Sequence, residues 1–345
     1  MTISAHDVEP GSEHGTCDES GLNVGGAAAS KIATKVAFPC IGSHLSVAGG
    51  MHLAVNEAVR LGLGCVQVFT KNQQQWRVPE LGADSIVAWK RAMHTAGWSG
   101  PEVPAWEDGG MQRSVSHASY LINLASPNDE LWRKSIELMV CEITRCDALG
   151  IGLLVHHPGS STTSPKADGI ERIAAAYVEL IKRTKHCRVV SCLEATVGAG
   201  ATIGGSFEEL GTLRQRIVEL TGAGQRLGLC IDTCHIHAAG YAMDSAVAVG
   251  GIIAAMDREF GLEHIRCLHI NDSKMPAGSR KDRHEHIGLG TIAPEAFGAL
   301  LAHPILGRLP AIMETPKEGE LGGLECDLAN SAKLRELVTG AMSGQ

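Results

Sequence analysis

Short apolar runs alternate along the chain with longer stretches in which apolar residues recur at helical spacing. The short runs end near eight positions, which are His44, Phe69, His117, His157, Glu194, Asp232, His269 and Glu314. A continuous apolar run of about four to eight residues is typical of a strand buried on both faces. The pattern therefore predicts eight buried strands with a helix after each.

The clearest predicted helix begins after Asn128, a suitable N-cap residue, and ends before Gly150. Its apolar residues share one face and are Ile136, Met139, Val140 and Ile143. Further helices are predicted at about 51–61, 84–96, 168–185, 206–221, 245–261, 294–302 and 327–338. We expect the residues after Leu337 to be loose.

Eight strand-helix units predict a (β/α)8 TIM barrel with parallel strands, over residues 36–340. A doubly wound open sheet is the alternative. Residues 1–35 are rich in Gly, Ser and Ala and hold five acidic residues against two lysines, so we expect a disordered tail. Residues 97–113 are long for a loop and are interpreted as an insertion.

The composition is that of a globular protein, since 44% of the 345 residues are hydrophobic and 20% are charged. No apolar run approaches the roughly 18 residues of a membrane span, so we expect no membrane partner. The 11 cysteines form no C-x-x-C pair, which favours reduced thiols. Without a signal peptide, the chain is expected inside the cell. Its net charge of −8 means that a nucleic-acid partner would need local positive charge.

The predicted strands carry potential metal ligands at their C-terminal ends. Strands three to eight finish in His117, His157, Glu194, Asp232, His269 and Glu314. In a TIM barrel these ends converge on the face where active sites lie. A single buried histidine is most often a satisfied core residue, whereas six such endings in succession favour a metal site.

Three further residues extend this set. His235 lies just past Asp232, and Asp282 and His284 lie two residues apart in the loop after strand seven. Residues two apart in an extended segment face the same way, so this pair could hold one ion. Five histidines and four carboxylates suit zinc, manganese or iron, and the histidine-rich balance favours zinc. Nine ligands exceed the need of one or two ions, so we predict three. Such a centre could catalyse in-line phosphoryl displacement.

Cations cluster in two of the loops that would surround these ligands. Lys71 and Arg77 flank the loop after strand two. The loop after strand seven carries Lys274, Arg280, Lys281 and Arg283. A solvated face is the alternative interpretation, but the position beside the predicted metals favours contact with phosphate.

The glycine-rich segment GAGATIGG, residues 198–205, follows a predicted strand and precedes a helix. Its spacing is one residue too long for the dinucleotide-binding fingerprint. We therefore expect a flexible loop and no nucleotide cofactor.

Several segments of the chain resemble the endonuclease IV family of zinc-dependent apurinic/apyrimidinic (AP) endonucleases. They are GSHLSVAGG (42–50), VFTKNQQQW (68–76), HASYLINLASP (117–127), HHPGSS (156–161), LEATVGAG (193–200), CIDTCHIHAAGY (230–241), LHINDSK (268–274), GSRKDRHEHIGLG (278–290) and METP (313–316). The resemblance covers nearly the whole predicted barrel. It implies a TIM barrel with three Zn²⁺ ions, with Mn²⁺ possible at part of the centre.

The resemblance also implies a role for each ligand. His117, His157 and Glu194 would hold the first zinc, and Glu194 would bridge to a second one. The remaining ligands of the second zinc would be Asp232, His269 and Glu314. His235, Asp282 and His284 would hold the third. Glu194 and Glu314 would be the catalytic carboxylates, and Glu314 would also assist proton movement.

The implied substrate is double-stranded DNA with an abasic site, cut on the 5′ side of the lesion to leave a 3′-hydroxyl and a 5′-deoxyribose phosphate. This reaction belongs to base excision repair and implies a monomer in a DNA-containing compartment. The implied DNA contacts are Asn72, Gln74, Arg77, Tyr120, Leu121, Lys274, Arg280 and Arg283.

The chain departs from the family pattern at two positions. Gln74 replaces an arginine, so the group that fills the opened duplex lacks a charge that Arg77 would partly supply. Ala195 replaces the asparagine that usually follows the bridging glutamate, which changes the surroundings of the ligands.

Two other functions are compatible with much of this pattern. A sugar isomerase or epimerase of the related metal-dependent barrels would need only one or two ions. The Asp282–His284 pair with His235 argues against it, because that trio serves a third metal. A non-catalytic DNA-binding relative is the second alternative, and the complete ligand set argues against it.

Overall fold

Eight parallel strands close into a barrel in a computed structural model of the chain, which describes residues 39–100 and 110–343. The barrel strands are β1 (Cys40–His44), β2 (Cys65–Val68), β3 (Ser114–His117), β4 (Leu153–His156), β5 (Val190–Glu194), β6 (Leu227–Asp232), β7 (Ile265–His269) and β10 (Pro310–Met313). Two short hairpins lie outside it, β8 (Asp272–Ser273) with β9 (His284–Glu285) and β11 (Glu320–Leu321) with β12 (Leu324–Glu325). The strands follow chain order around the barrel, and β10 pairs with β1. The TIM-barrel prediction is confirmed, and the open sheet is wrong.

Helices follow the barrel strands, as the apolar periodicity predicts. They are α1 (Met51–Arg60), α2 (Ala83–Thr95), α3 (Asp129–Leu149), α4 (Lys166–Arg183), α5 (Phe207–Thr221), α6 (Thr233–Ala239), α7 (Ala246–Phe260), α8 (Pro294–Leu301) and α9 (Cys326–Ser343). The signals at the ends of α3 act as predicted. The Asn128 side chain accepts a hydrogen bond from the Leu131 amide, and Gly150 ends the helix with a φ of 77°.

The sequence prediction differs from the structure at two helices. The short helix α6 was not predicted, and α9 continues to Ser343 instead of fraying after Leu337. The last turns of α9 are held by α8, because Gly298 leaves room for them. A Cβ atom at Gly298 would lie 2.6 Å from the Leu337 carbonyl oxygen and 3.3 Å from the Ala341 side chain.

Apolar side chains of the barrel strands form a cluster of their own, which fills the barrel interior. It includes Cys40, Cys65, Cys192, Cys230 and Cys267. The ten cysteines in the described part of the chain are free thiols, in agreement with the predicted reduced state.

Two predictions fall on other parts of the chain. The tail at 1–35 lies outside the described residues, and so do residues 101–109 of the interpreted insertion. No helix in the described ranges is long and apolar enough to cross a membrane.

Candidate metal centre

The predicted ligands meet at the C-terminal end of the barrel. Four of them are the last residues of their strands, namely His117 on β3, Glu194 on β5, Asp232 on β6 and His269 on β7. His157 and Glu314 follow directly after β4 and β10. Because all eight strands run parallel, these six side chains lie at one mouth of the barrel.

A first group of donor atoms consists of His117, His157 and Glu194. The Nε2 atoms of His117 and His157 lie 3.1 and 3.2 Å from the same carboxylate oxygen, Oε2 of Glu194. The three donor atoms of the group lie within 4.8 Å of one another, close enough to bind one ion.

A second group shares Glu194 through its other oxygen. Oε1 of Glu194 lies 2.9 Å from Nδ1 of His269, and Oε2 of Glu314 lies 3.4 Å from the same nitrogen. Asp232 approaches that nitrogen at 3.9 Å and completes a group of four whose donor atoms lie within 4.8 Å of one another. Glu194 therefore belongs to two groups at once.

A third group lies beside the first two and consists of His235, Asp282 and His284. One oxygen of Asp282 lies 3.2 Å from Nε2 of His235, and the other lies 3.3 Å from Nε2 of His284. Helix α6 places His235, because Asp232 caps that helix by accepting the His235 amide at 2.9 Å.

Acceptor oxygens hold one ring nitrogen of four of the five imidazoles. Backbone carbonyl oxygens lie 2.8 Å from Nδ1 of His117, 2.9 Å from Nδ1 of His235 and 3.1 Å from Nδ1 of His284. Oε1 of Gln67 lies 2.9 Å from Nε2 of His269. Since these oxygens accept hydrogen bonds, the nitrogens they face carry a proton, and the other ring nitrogen is the one that would present its lone pair to a bound ion.

The donor chemistry fits divalent metal ions. Nε2 of His284 is buried and makes no hydrogen bond among the described residues, although two carboxylates lie within 4 Å of it. An orphaned buried nitrogen of this kind is costly unless a metal occupies its lone pair. The described chain thus contains candidate metal-binding groups made of nitrogen and oxygen donors, and the pattern suits zinc.

The charge states of the groups also suit metal binding. Burial would raise the pKa of Glu194, but the charges of His269 and His157 hold it well below the usual range. Burial would lower the pKa values of His235 and His269, but the carboxylates around them raise both well above the ordinary value. Protons and metal ions therefore compete for these imidazoles.

The sequence interpretation missed the residues that hold the ligands. The Nε2 atom of Gln67 donates to Glu314 at 2.6 Å and lies 3.0 Å from Nδ1 of His44. Asn271 donates to Asp232 at 2.7 Å and accepts the Glu314 amide at 2.7 Å. A glutamine inside the apolar strand β2 was the available signal, because a buried amide must be hydrogen-bonded.

The replacement of the family's asparagine by Ala195 changes only the side chain and leaves the backbone contact with His235 in place. This residue is buried, and its backbone carbonyl is the oxygen that holds His235. That contact is made by the backbone and survives any side chain at the position.

The residues predicted to contact DNA lie on three loops, which follow β2, β3 and β7. Asn72, Gln74 and Arg77 are exposed in the loop at 70–79 after β2. Tyr120 is 59% exposed, and its ring centre lies 5.4 Å from that of His117. Leu121 is half-buried beside it.

The predicted cations have different surroundings. Lys274, Arg280 and Arg283 are all exposed, and Nη1 of Arg280 also donates to the Gly198 carbonyl at 2.7 Å. Lys71 is only 6% exposed, so its interpretation as a cation available to phosphate is wrong.

The glycine-rich segment is a loop whose backbone folds closely on itself. A Cβ atom at Gly205 would lie 2.4 Å from the Cα atom of Gly198, so this pair requires glycine. The glycines are thus explained by packing between backbone segments.

Comparison with known proteins agrees with this geometry. A family model described as a xylose isomerase-like TIM barrel matches residues 55–336. A probable endonuclease 4 of Chloroflexus aurantiacus is 38% identical over 304 residues, which cover 88% of this chain and 100% of the relative. A probable endonuclease 4 of Geotalea daltonii is 39% identical over 298 residues, covering 86% of this chain and 98% of the relative.

The fold of the chain is also similar to that of solved structures. The crystal structure of endonuclease IV from Thermus thermophilus is 33% identical and superposes with a TM-score of 0.72, covering 88% of this chain and 100% of that one. A D-tagatose 3-epimerase-like protein has a TM-score of 0.60 over 88% of this chain and 98% of its own, at 16% identity, and shows the fold alone.

Proposed function

Because the chain belongs to the endonuclease IV family, we propose that it cleaves double-stranded DNA at abasic sites in base excision repair. The cut falls on the 5′ side of the lesion and leaves a 3′-hydroxyl and a 5′-deoxyribose phosphate. The observation that carries the proposal is the meeting of nine nitrogen and oxygen ligands in three groups, two of which share Glu194.

We assign one zinc ion to each group. His117 and His157 hold the first with Glu194, which also serves the second. Asp232, His269 and Glu314 complete the second, and the third is held by His235, Asp282 and His284. When bound, such ions supply an activated water near neutral pH and stabilise charge on the phosphate oxygens. Mn²⁺ could occupy part of the centre.

The two catalytic carboxylates hold different positions in this arrangement. Glu194 presents one oxygen to each of two groups and is fully buried, so it fixes their separation. Oε1 of Glu314 accepts a hydrogen bond from Gln67, while Oε2 faces His269. Glu314 is partly exposed at the mouth. Burial would raise its pKa, but the charge of His269 and the hydrogen bond with His44 hold that pKa well below the usual range, so Glu314 is ionised and can accept a proton during the reaction.

The loops that follow β2, β3 and β7 provide the contacts with the damaged duplex. Swinging out an abasic sugar costs a few kcal/mol, which side chains that fill the gap can offset. We assign that role to Gln74, Tyr120 and Leu121, and the contact between the rings of Tyr120 and His117 supports it. Arg77, Lys274, Arg280 and Arg283 add positive charge for the phosphates, and Asn72 shapes its loop by accepting the Gln74 amide at 2.9 Å.

These observations support the endonuclease better than either alternative function. Sugar epimerases share the fold, but a reaction that needs one or two ions gives no use for the group of His235, Asp282 and His284. A DNA-binding protein without activity has no reason to keep all nine ligands together.

The proposal is tested with an end-labelled duplex that carries one tetrahydrofuran abasic analogue. The zinc-loaded protein should cut once, directly 5′ to the analogue, and leave a 3′ end that a polymerase extends. A chelator should abolish the cut and added zinc should restore it, while an undamaged duplex serves as the control. Failure of the zinc-loaded protein to cut, or equal cutting of both duplexes, would refute the proposal.

A further inference from the structure

A buried lysine, Lys71, holds the backbone of the loop at 70–79. Nζ of Lys71 donates to the carbonyl oxygens of Asn72 at 2.6 Å and Gln75 at 2.8 Å. The same ammonium group lies 4.0 Å from Oε1 of Glu142 on α3, and both side chains are 1% exposed. The ammonium group is therefore turned inward, against the backbone of its own loop.

A cation of α3, Arg145, holds both ends of this loop. Arg145 donates from Nε to the Thr70 carbonyl at 3.1 Å and from Nη1 to the Pro79 carbonyl at 2.9 Å. With their carbonyls bound to α3, the exposed side chains between these ends project from a fixed backbone.

Glu142 also reaches the loop that carries Tyr120. Its Oε1 atom accepts the Ser119 amide at 3.0 Å, and the Ser119 hydroxyl donates to the Gln73 carbonyl at 2.5 Å. One buried carboxylate thus connects two of the three loops that are proposed to face the duplex, those after β2 and β3.

Burying the charges of Lys71 and Glu142 beneath a loop costs desolvation free energy. A buried ion pair is often no more stabilising than apolar residues of the same volume, so its presence points to a requirement for a defined geometry. A loop that is already ordered in the free protein loses little conformational entropy when DNA binds, and binding is stronger for that reason.

We propose that Lys71, Glu142 and Ser119 are positioning residues. They fix the loops after β2 and β3 relative to each other and thereby set the affinity for damaged duplex. The claim rests on the proposed function. It separates DNA recognition from hydrolysis, because none of the three residues belongs to the metal groups.

The test compares the double variant Lys71→Met/Glu142→Gln with the wild type. The matched control is Lys134→Met/Glu130→Gln, which removes an exposed pair on the same helix whose side chains are 58% and 75% exposed. KM for the abasic duplex should rise about tenfold or more in the test variant, with kcat within about twofold. Hydrolysis of bis(4-nitrophenyl) phosphate, which is too small to reach both loops, should stay within about twofold of the wild type.

Hydrogen exchange of residues 70–79 gives a readout that needs no substrate. These amides should exchange faster in the test variant and be unchanged in the control. If the wild type fails to cut the duplex, the proposed function falls, whereas this exchange measurement still decides whether the network orders the loop.

Ser119→Ala is the second variant if the buried pair cannot be removed without unfolding. It deletes the hydrogen bond from the hydroxyl to the Gln73 carbonyl and the longer one that the hydroxyl accepts from the Leu121 amide at 3.4 Å. KM for the duplex should therefore rise about fivefold in the same direction. An unchanged KM and unchanged exchange would overturn the proposal. So would an equal loss of activity on both substrates, because the network would then act on the metal groups or on the whole fold.

Discussion

Oε1 of Glu194 lies 2.9 Å from Nδ1 of His269, although the two residues are on different strands of the barrel. The other oxygen of the same carboxylate faces His117 and His157. One buried side chain thus joins two groups of ligands, and its removal should damage both.

We expect Glu194→Gln to lose the first two metal ions and keep the third, because Glu194 is not a member of the third group. Glu194 faces Nδ1 of His235 at 3.4 Å, whereas Nε2 is the nitrogen that faces Asp282. Cleavage of abasic duplex should fall by at least about a thousandfold. Elemental analysis and a cleavage assay check both effects. Glu179→Gln, at an exposed position on α4, is the control and should behave as the wild type. Full metal content in Glu194→Gln would remove this residue from the shared position.

Gln67→Leu should weaken zinc binding by about tenfold to a hundredfold, because His269 and Glu314 would lose the amide that orients them. Titration against a competing chelator measures the change. Gln215→Leu, on the exposed face of α5, should leave the zinc affinity unaltered. Equal affinities in all three proteins would show that Gln67 is a packing residue only.

Gln74→Arg should tighten binding to abasic duplex, since a guanidinium adds charge and stacks better than an amide. The slope of log K against log salt should steepen by about one unit for the added phosphate contact. Fluorescence anisotropy over a salt series measures both quantities. The same exchange at Gln215 should have little effect, and a Gln74→Arg protein with unchanged affinity would rule out a role for this position in wedging.

The stability gained from zinc should grow as the pH rises. Without metal, the pKa values of His235 and His269 are raised well above 6.5 by nearby carboxylates, despite burial. Their contribution to stability is complete below about pH 6.5 and is lost as the pH rises through the raised values. Glu194, whose pKa is lowered, stays ionised throughout that interval.

Zinc binding strengthens over the same interval because the imidazoles lose their protons. The difference in melting temperature between zinc-loaded and chelated protein should therefore be larger at about pH 8 than at about pH 6. Thermal denaturation at both values measures it. A difference that does not vary with pH would mean that these imidazoles do not exchange protons for metal.

The sequence predicted the barrel and the convergence of the ligands for one reason. Parallel strands deliver their C-terminal residues to the same face, so an ending such as Asp232 or His269 already fixes a position in space. The short helix α6 escaped detection because seven residues give too little apolar periodicity, and its cap, Asp232, was already interpreted as a ligand.

The surroundings of single side chains could not be predicted in the same way. Lys71 lies among exposed loop residues and was interpreted as available to phosphate, whereas Glu142 of α3 and the carbonyls of the loop bury it. That partner is distant in sequence and belongs to another strand-helix unit. Periodicity within one unit therefore gives no sign of the contact.

The central claim is that nine side chains bind three metal ions at one end of the barrel. Crystals of the zinc-loaded protein, measured on both sides of the zinc absorption edge, test it most directly. We expect three anomalous peaks, two of them on either side of the Glu194 carboxylate and the third between His235, Asp282 and His284. A single peak, or peaks that lie away from these residues, would contradict it.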